Sequence, residues 1–171
     1  MRYLRHCLTT IAILSSTIFA HADDCAEIQG TYLTAKVDKT GVEKGAEGRT
    51  VLTFAAGGTA TMTDSAQGGI AGYQAFGMMQ GEWDCVSGDG VGQKIQATLV
   101  DFSYPDATNP DATIARVDVS AVIDRSSGAL VGKTIVNFFP LLDDPFSGQE
   151  PASTVEYDFE GQRIRITPPS D

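Results

Sequence analysis

From residue 28 onward, apolar and polar side chains alternate with a period of two in segment after segment, and no stretch sustains a 3.6-residue period. That pattern predicts half-buried strands at 28–37, 50–55, 59–64, 79–86, 93–103, 113–124, 130–139, 154–159 and 162–167. Gly57-Gly58, Asp89-Gly90, Ser127-Gly128 and Glu160-Gly161 fall between them, and such dipeptides suit tight hairpins. Eight or nine strands joined mainly by short hairpins read as an all-β, antiparallel up-and-down meander. A chain of this length hides its sheet edges best by closing into a barrel. A two-sheet β-sandwich is the alternative.

The same alternation sorts side chains by face. Met79, Gly81, Trp83 and Cys85 share one face of their strand, as do Ile95, Ala97 and Leu99, and Ala115, Val117, Val119, Ala121 and Ile123. Ile164 and Ile166 oppose Arg163 and Arg165. The inner face is therefore apolar, and Gly81, Ala97, Ala115, Ala121 and Gly132 leave room inside for a small apolar ligand. A core filled by the barrel's own side chains remains the other solution. The candidate lining is Tyr32, Phe54, Met62, Trp83, Leu99, Val119, Phe138 and Tyr157. Trp83, the one tryptophan, stands beside Cys85, either as a core ring or as a ligand-stacking wall.

The first 22 residues have a different character. A short basic start is followed by an apolar stretch too brief to span a bilayer, then by Ala20 and Ala22 around His21. This is the pattern of a secretory signal peptide cleaved after Ala22, leaving one domain at 23–171 and a secreted or periplasmic protein. No later segment is apolar enough to insert into a membrane. Cleavage removes Cys7, and in an oxidising compartment Cys25 and Cys85 most simply pair. It also removes His6 and His21, the only two histidines. A Ser-His-Asp triad, a Cys-His nucleophile and histidine-bound metals are thereby excluded from the mature chain. Losing Arg2 and Arg5 takes the formal net charge from −10 to −12, which argues against nucleic acid as a partner.

Three longer connections interrupt the meander. Residues 38–49 read as a solvated loop. Residues 65–78 are uncharged and carry Tyr73, Phe76 and Met78 among glycines, and form either a plug or a lid over a ligand. Residues 139–152 place Leu141, Leu142 and Phe146 between prolines and need a similar burial partner. The carboxylate-bearing loops, with Asp106, Asn109 and Asp111 in one and Asp143 and Asp144 in the other, lack the spacing of a calcium loop and suit local capping. No cofactor or metal site is implied. Lys36, Lys94 and Lys133 alternate with apolar neighbours and are assigned outward.

The order of features (IQGTY at 28–32, RTVLTFAAGGTATMTDS at 49–65, GEWDC at 81–85, SSGALVGK at 126–133 and a closing GQRIRI at 161–166) resembles the small exported bacterial lipocalin-like, or calycin-like, barrel proteins. The resemblance implies an eight-stranded barrel with one open end that binds a small hydrophobic molecule. It also implies that Gly30 and Tyr32 stand where lipocalins carry an opening Gly-x-Trp. Tyrosine here replaces the tryptophan, and Arg163 or Arg165 is its basic partner. The expected function is binding of a small apolar or amphiphilic molecule. An isomerase- or cyclase-type enzyme using Asp101, Tyr32 or Tyr157 is one alternative, and a filled structural or protein-interaction domain is another.

Overall fold

The structure is a computed structural model and describes residues 25–38, 48–69, 74–86 and 92–167. After a 3-10 turn at Ala26–Ile28 come eight strands: β1 Gly30–Asp38, β2 Gly48–Phe54, β3 Thr59–Asp64, β4 Met79–Val86, β5 Gly92–Phe102, β6 Thr113–Asp124, β7 Ala129–Pro140 and β8 Ser153–Arg163. Each pairs antiparallel with its sequence neighbours. β8 returns to β1, with Tyr32 opposite Arg163 and Ala35 opposite Glu160, so the meander closes into a barrel.

Alternation sets the core as expected: Ile95, Ala97 and Leu99 of β5 and Ala115 through Ile123 at every second position of β6 are buried. Lys94, Gln96, Ser120 and Lys133 face outward and are exposed, alongside Val122 and Val131. Phe139 is buried although it lies on the outward parity of β7 and outside the contiguous core.

One end of the barrel is sealed. The 3-10 turn brings Ile28 under the strands, where it is fully buried, and the Tyr32 hydroxyl donates to the Ile28 carbonyl at 2.6 Å. Tyr32, Phe54 and Trp83 follow in a tilted series, with ring centroids 5.8 and 5.2 Å apart, and the Trp83 indole N–H donates to the Ala55 carbonyl at 2.8 Å. Burial raises the Tyr32 pKa, against the opposing pull of the Arg163 charge. Arg163 crosses the base and donates to the carbonyls of Glu27, at 2.9 Å, and of Gln29, while Arg165 donates to Ser127 instead. A Cys25–Cys85 disulfide, with Cα atoms 6.0 Å apart, staples the turn to β4.

Several expectations are corrected. Glu160-Gly161 is not a hairpin: β8 runs through it, and there is no ninth strand at 162–167. A Cβ on Gly161 would lie 2.5 Å from the Leu33 carbonyl oxygen, so the glycine serves close strand approach rather than a turn. Beyond β8 the pattern loses its inner face, leaving Ile164 half exposed and Ile166 97 % exposed. Gly81 and Gly132 leave no vacant space, because a Cβ at either would meet backbone oxygen, of Thr98 and Ser120 respectively, within 2.5 Å. Leu141, Leu142 and Phe146 neither plug nor cover the barrel; Leu142 is 95 % exposed. Their loop lies against the outside, where Pro145 is buried and its carbonyl accepts from Arg116 at 2.9 Å. The signal-peptide assignment, the Asp89-Gly90 turn, Tyr73 and most of the 38–49 loop lie outside the described residues.

Three outcomes follow. Protein recovered from an oxidising compartment should show neither Cys25 nor Cys85 alkylated before reduction, by intact mass under denaturing conditions. Cys85→Ser should lower the unfolding free energy by roughly 4 kcal/mol, the chain-entropy value for a loop of this size. Gly161→Ala should cost roughly 1–3 kcal/mol by overpacking against β1, read from the denaturant midpoint.

Candidate functional site: the open end of the barrel

Among the described residues, the end opposite the plug is not filled. β3 and β4 pair only from Thr59–Glu82 to Met62–Met79, because the chain then leaves β3 for the 65–78 connection. The last residues of β3 therefore border a gap, and a cavity of about 430 Å³ opens there into the barrel. Its apolar wall comes from Phe76, Met79, Ala115, Val136, Phe138 and Val155. Its mouth is polar and uncharged, with Gln74, Ser103, Asn109, Thr113, Ser153 and Thr154.

Inside stand four polar side chains: Lys36 of β1, Asp64 of β3, Asp101 of β5 and Tyr157 of β8. Lys36 Nζ lies 2.5 Å from Asp64 Oδ2 and 4.5 Å from the centre of the Tyr157 ring. The other Asp64 oxygen accepts from the Ala66 backbone N–H at 2.8 Å. The outward assignment of Lys36 is thus corrected: its side chain is only 12 % exposed and shares the inward parity of Tyr32 and Thr34. The apolar neighbours Ala35 and Val37 misled, because in β1 the inward set is Tyr32, Thr34 and Lys36; an ammonium is tolerated inside because a carboxylate meets it.

Asp101 differs from Asp64. It is 5 % exposed, and among the described residues its carboxyl makes no hydrogen bond. Burial, reinforced by the nearby Asp64 carboxylate, raises its pKa to about 7. A chain with no histidine after residue 21 thus carries a carboxyl that titrates where histidine would.

Of the candidate lining residues, Phe138 and Tyr157 reach the cavity. Tyr32, Phe54 and Trp83 belong to the sealed base, while Met62, Leu99 and Val119 fill the barrel's middle; none of these six lines the cavity. Of the lid candidates, Phe76 lines the cavity and bridges to Ser103, whereas Met78 points outward and is 49 % exposed. The connection carrying Phe76 is fastened to the β5–β6 side by Tyr104 N–H to Ala75 carbonyl at 2.7 Å and by the Gln74 amide to the carbonyls of Asn109 and Asp111. The loop aspartates are occupied locally: Asp106 Oδ1 accepts from Thr108 N–H, Thr108 hydroxyl and Asn109 N–H, which holds its pKa below the usual carboxylate range. Among the described residues, the single close group of potential metal ligands is Cys25, Asp84 and Cys85, and its two thiols are spent in the disulfide.

The Asp101 pKa has a sign that can be tested. Raised above its unfolded value near 3.9, the group favours the folded state most below about pH 4, and that contribution is lost as pH rises through 7. Facing it are Asp64, Lys36 and Tyr157, with Met79, Thr113 and Ala115, none of them charged, contributed to the cavity by the flanking strands. Asp106 and Asp124, held low by turn donors, act in the opposite sense at the acid end. The difference between wild type and Asp101→Asn therefore isolates Asp101: the variant should gain relative stability across pH 4–7, reaching about 4 kcal/mol, by urea denaturation at each pH. No protein-family model, curated protein or solved structure matches this chain.

Proposed function

We propose that this is an exported protein that binds a small amphiphilic molecule in the open end of a lipocalin-like barrel. The observation that carries the reading is the cavity of about 430 Å³, a size suited to small-molecule ligands. An apolar wall beside a compact polar cluster matches a molecule with a hydrocarbon body and one polar head. Export is supported by the basic-then-apolar start of the chain and by the disulfide, which persists in oxidising compartments. Among the described residues no helix is long and apolar enough to cross a membrane. The outer faces of β5 and β6 carry Lys94, Gln96, Arg116, Asp118 and Ser120, which interrupt any continuous apolar band of the kind a membrane barrel turns to lipid.

A second reading, an isomerase- or cyclase-type enzyme, is favoured by Asp101 alone. A carboxyl titrating near 7 inside a half-apolar cavity is suited to general acid–base work. The two readings separate on the fate of bound material: a binding protein returns its ligand unchanged, and an enzyme returns it rearranged, by mass spectrometry of the extracted molecule.

Ala115 lines the cavity, whereas Ala97 is buried in the barrel without reaching it. An uncharged naphthalene fluorophore should bind saturably to the wild type. Ala115→Phe should abolish that binding in a protein whose circular dichroism is unchanged. Binding that survives Ala115→Phe, or none to the folded wild type, would sink the proposal.

A further inference from the structure

We infer that the ligand of this cavity is a cationic amphiphile, an alkyl amine whose ammonium group sits on Asp101. The inference rests on the binding reading above and names the chemistry of its ligand.

Asp101 and Asp64 are equally buried members of one cavity, yet only one is satisfied. Asp64 has the Lys36 ammonium on one oxygen and the Ala66 N–H on the other. Asp101 has neither an ion pair nor a hydrogen bond among the described residues, although it is 95 % buried. Buried polar groups left without partners are rare in folded proteins and call for an explanation. A ligand donor is one that the cavity itself supplies space for.

Charge selects the donor. Lys36 is committed to Asp64, which leaves the ionised Asp101 as the one uncompensated charge among the cavity's lining residues. An ammonium restores neutrality and brings up to three N–H donors to two acceptor oxygens. A fatty-acid head would add a third carboxylate beside Asp64 and Asp101, and a hydroxyl would satisfy Asp101 without neutralising it. The raised pKa of Asp101 agrees with a site that lacks its cation. Phe76, Phe138 and Val136 provide apolar surface for the hydrocarbon chain.

The test is isothermal titration calorimetry at pH 8 with three eight-carbon probes: octylamine, 1-octanol and octanoate. Octylamine should bind at least tenfold more tightly than 1-octanol, and octanoate most weakly. Asp101→Asn should remove the octylamine advantage, bringing octylamine and 1-octanol to within a few-fold of each other in the same variant. Should that variant fail to fold, the wild type alone decides. Its octylamine affinity should fall by about tenfold per pH unit below the Asp101 pKa, as proton and ammonium compete for one carboxylate, with a far smaller change for 1-octanol. If octanol binds and octylamine shows no advantage, or its advantage survives Asp101→Asn, the amine assignment is overturned and the binding reading stands. If no probe binds the folded wild type, both fall.

Discussion

A sheet that closes on itself must fill its own interior, and everything else in this structure follows from how that is done at each end. At the base the filling is complete: a 3-10 turn, three aromatic rings and the Arg163 guanidinium occupy the space that eight strands enclose. At the other end β3 runs out of partners on β4 after Met62, and no comparable plug is present among the described residues. The unfilled volume is therefore a consequence of unequal strand lengths, six residues in β3 against eleven or twelve in β5 to β8.

The barrel was legible in the sequence because alternation is the direct imprint of a half-buried strand. Six of the eight inferred lining residues, however, sit in solid core. Periodicity says which side of the sheet a residue faces, but not how far along the axis it stands, and depth decides between core and cavity. Ile164 and Ile166 show the same limit from the other direction: they continue the pattern of β8 after the pairing that gave it meaning has ended. Glu160-Gly161 misled because glycine serves turns and close approaches alike, and only the neighbour, Leu33 O, tells which.

The cavity's polar cluster was partly readable. Lys36, Asp64 and Asp101 all occupy inward positions by simple counting from Tyr32, Met62 and Leu99. The apolar neighbours Ala35 and Val37 point to an outward Lys36, against the parity that Tyr32 and Thr34 set. What the sequence could not supply was the pairing of Lys36 with Asp64, 28 residues away, which makes burial affordable for one and leaves Asp101 without a cation.

The closing contacts also impose an order in time. The Arg163–Glu27 bond spans 136 residues, and β1 meets β8 only when every strand between them exists. Cys25 and Cys85 are 60 residues apart, so they can join once β4 has been made, before β5 to β8. A chain that emerges N-terminus first can thus acquire its covalent staple while half the barrel is still to come. The last strand then arrives at a first strand already tethered, and a long search through contacts distant in sequence is shortened to the docking of one edge.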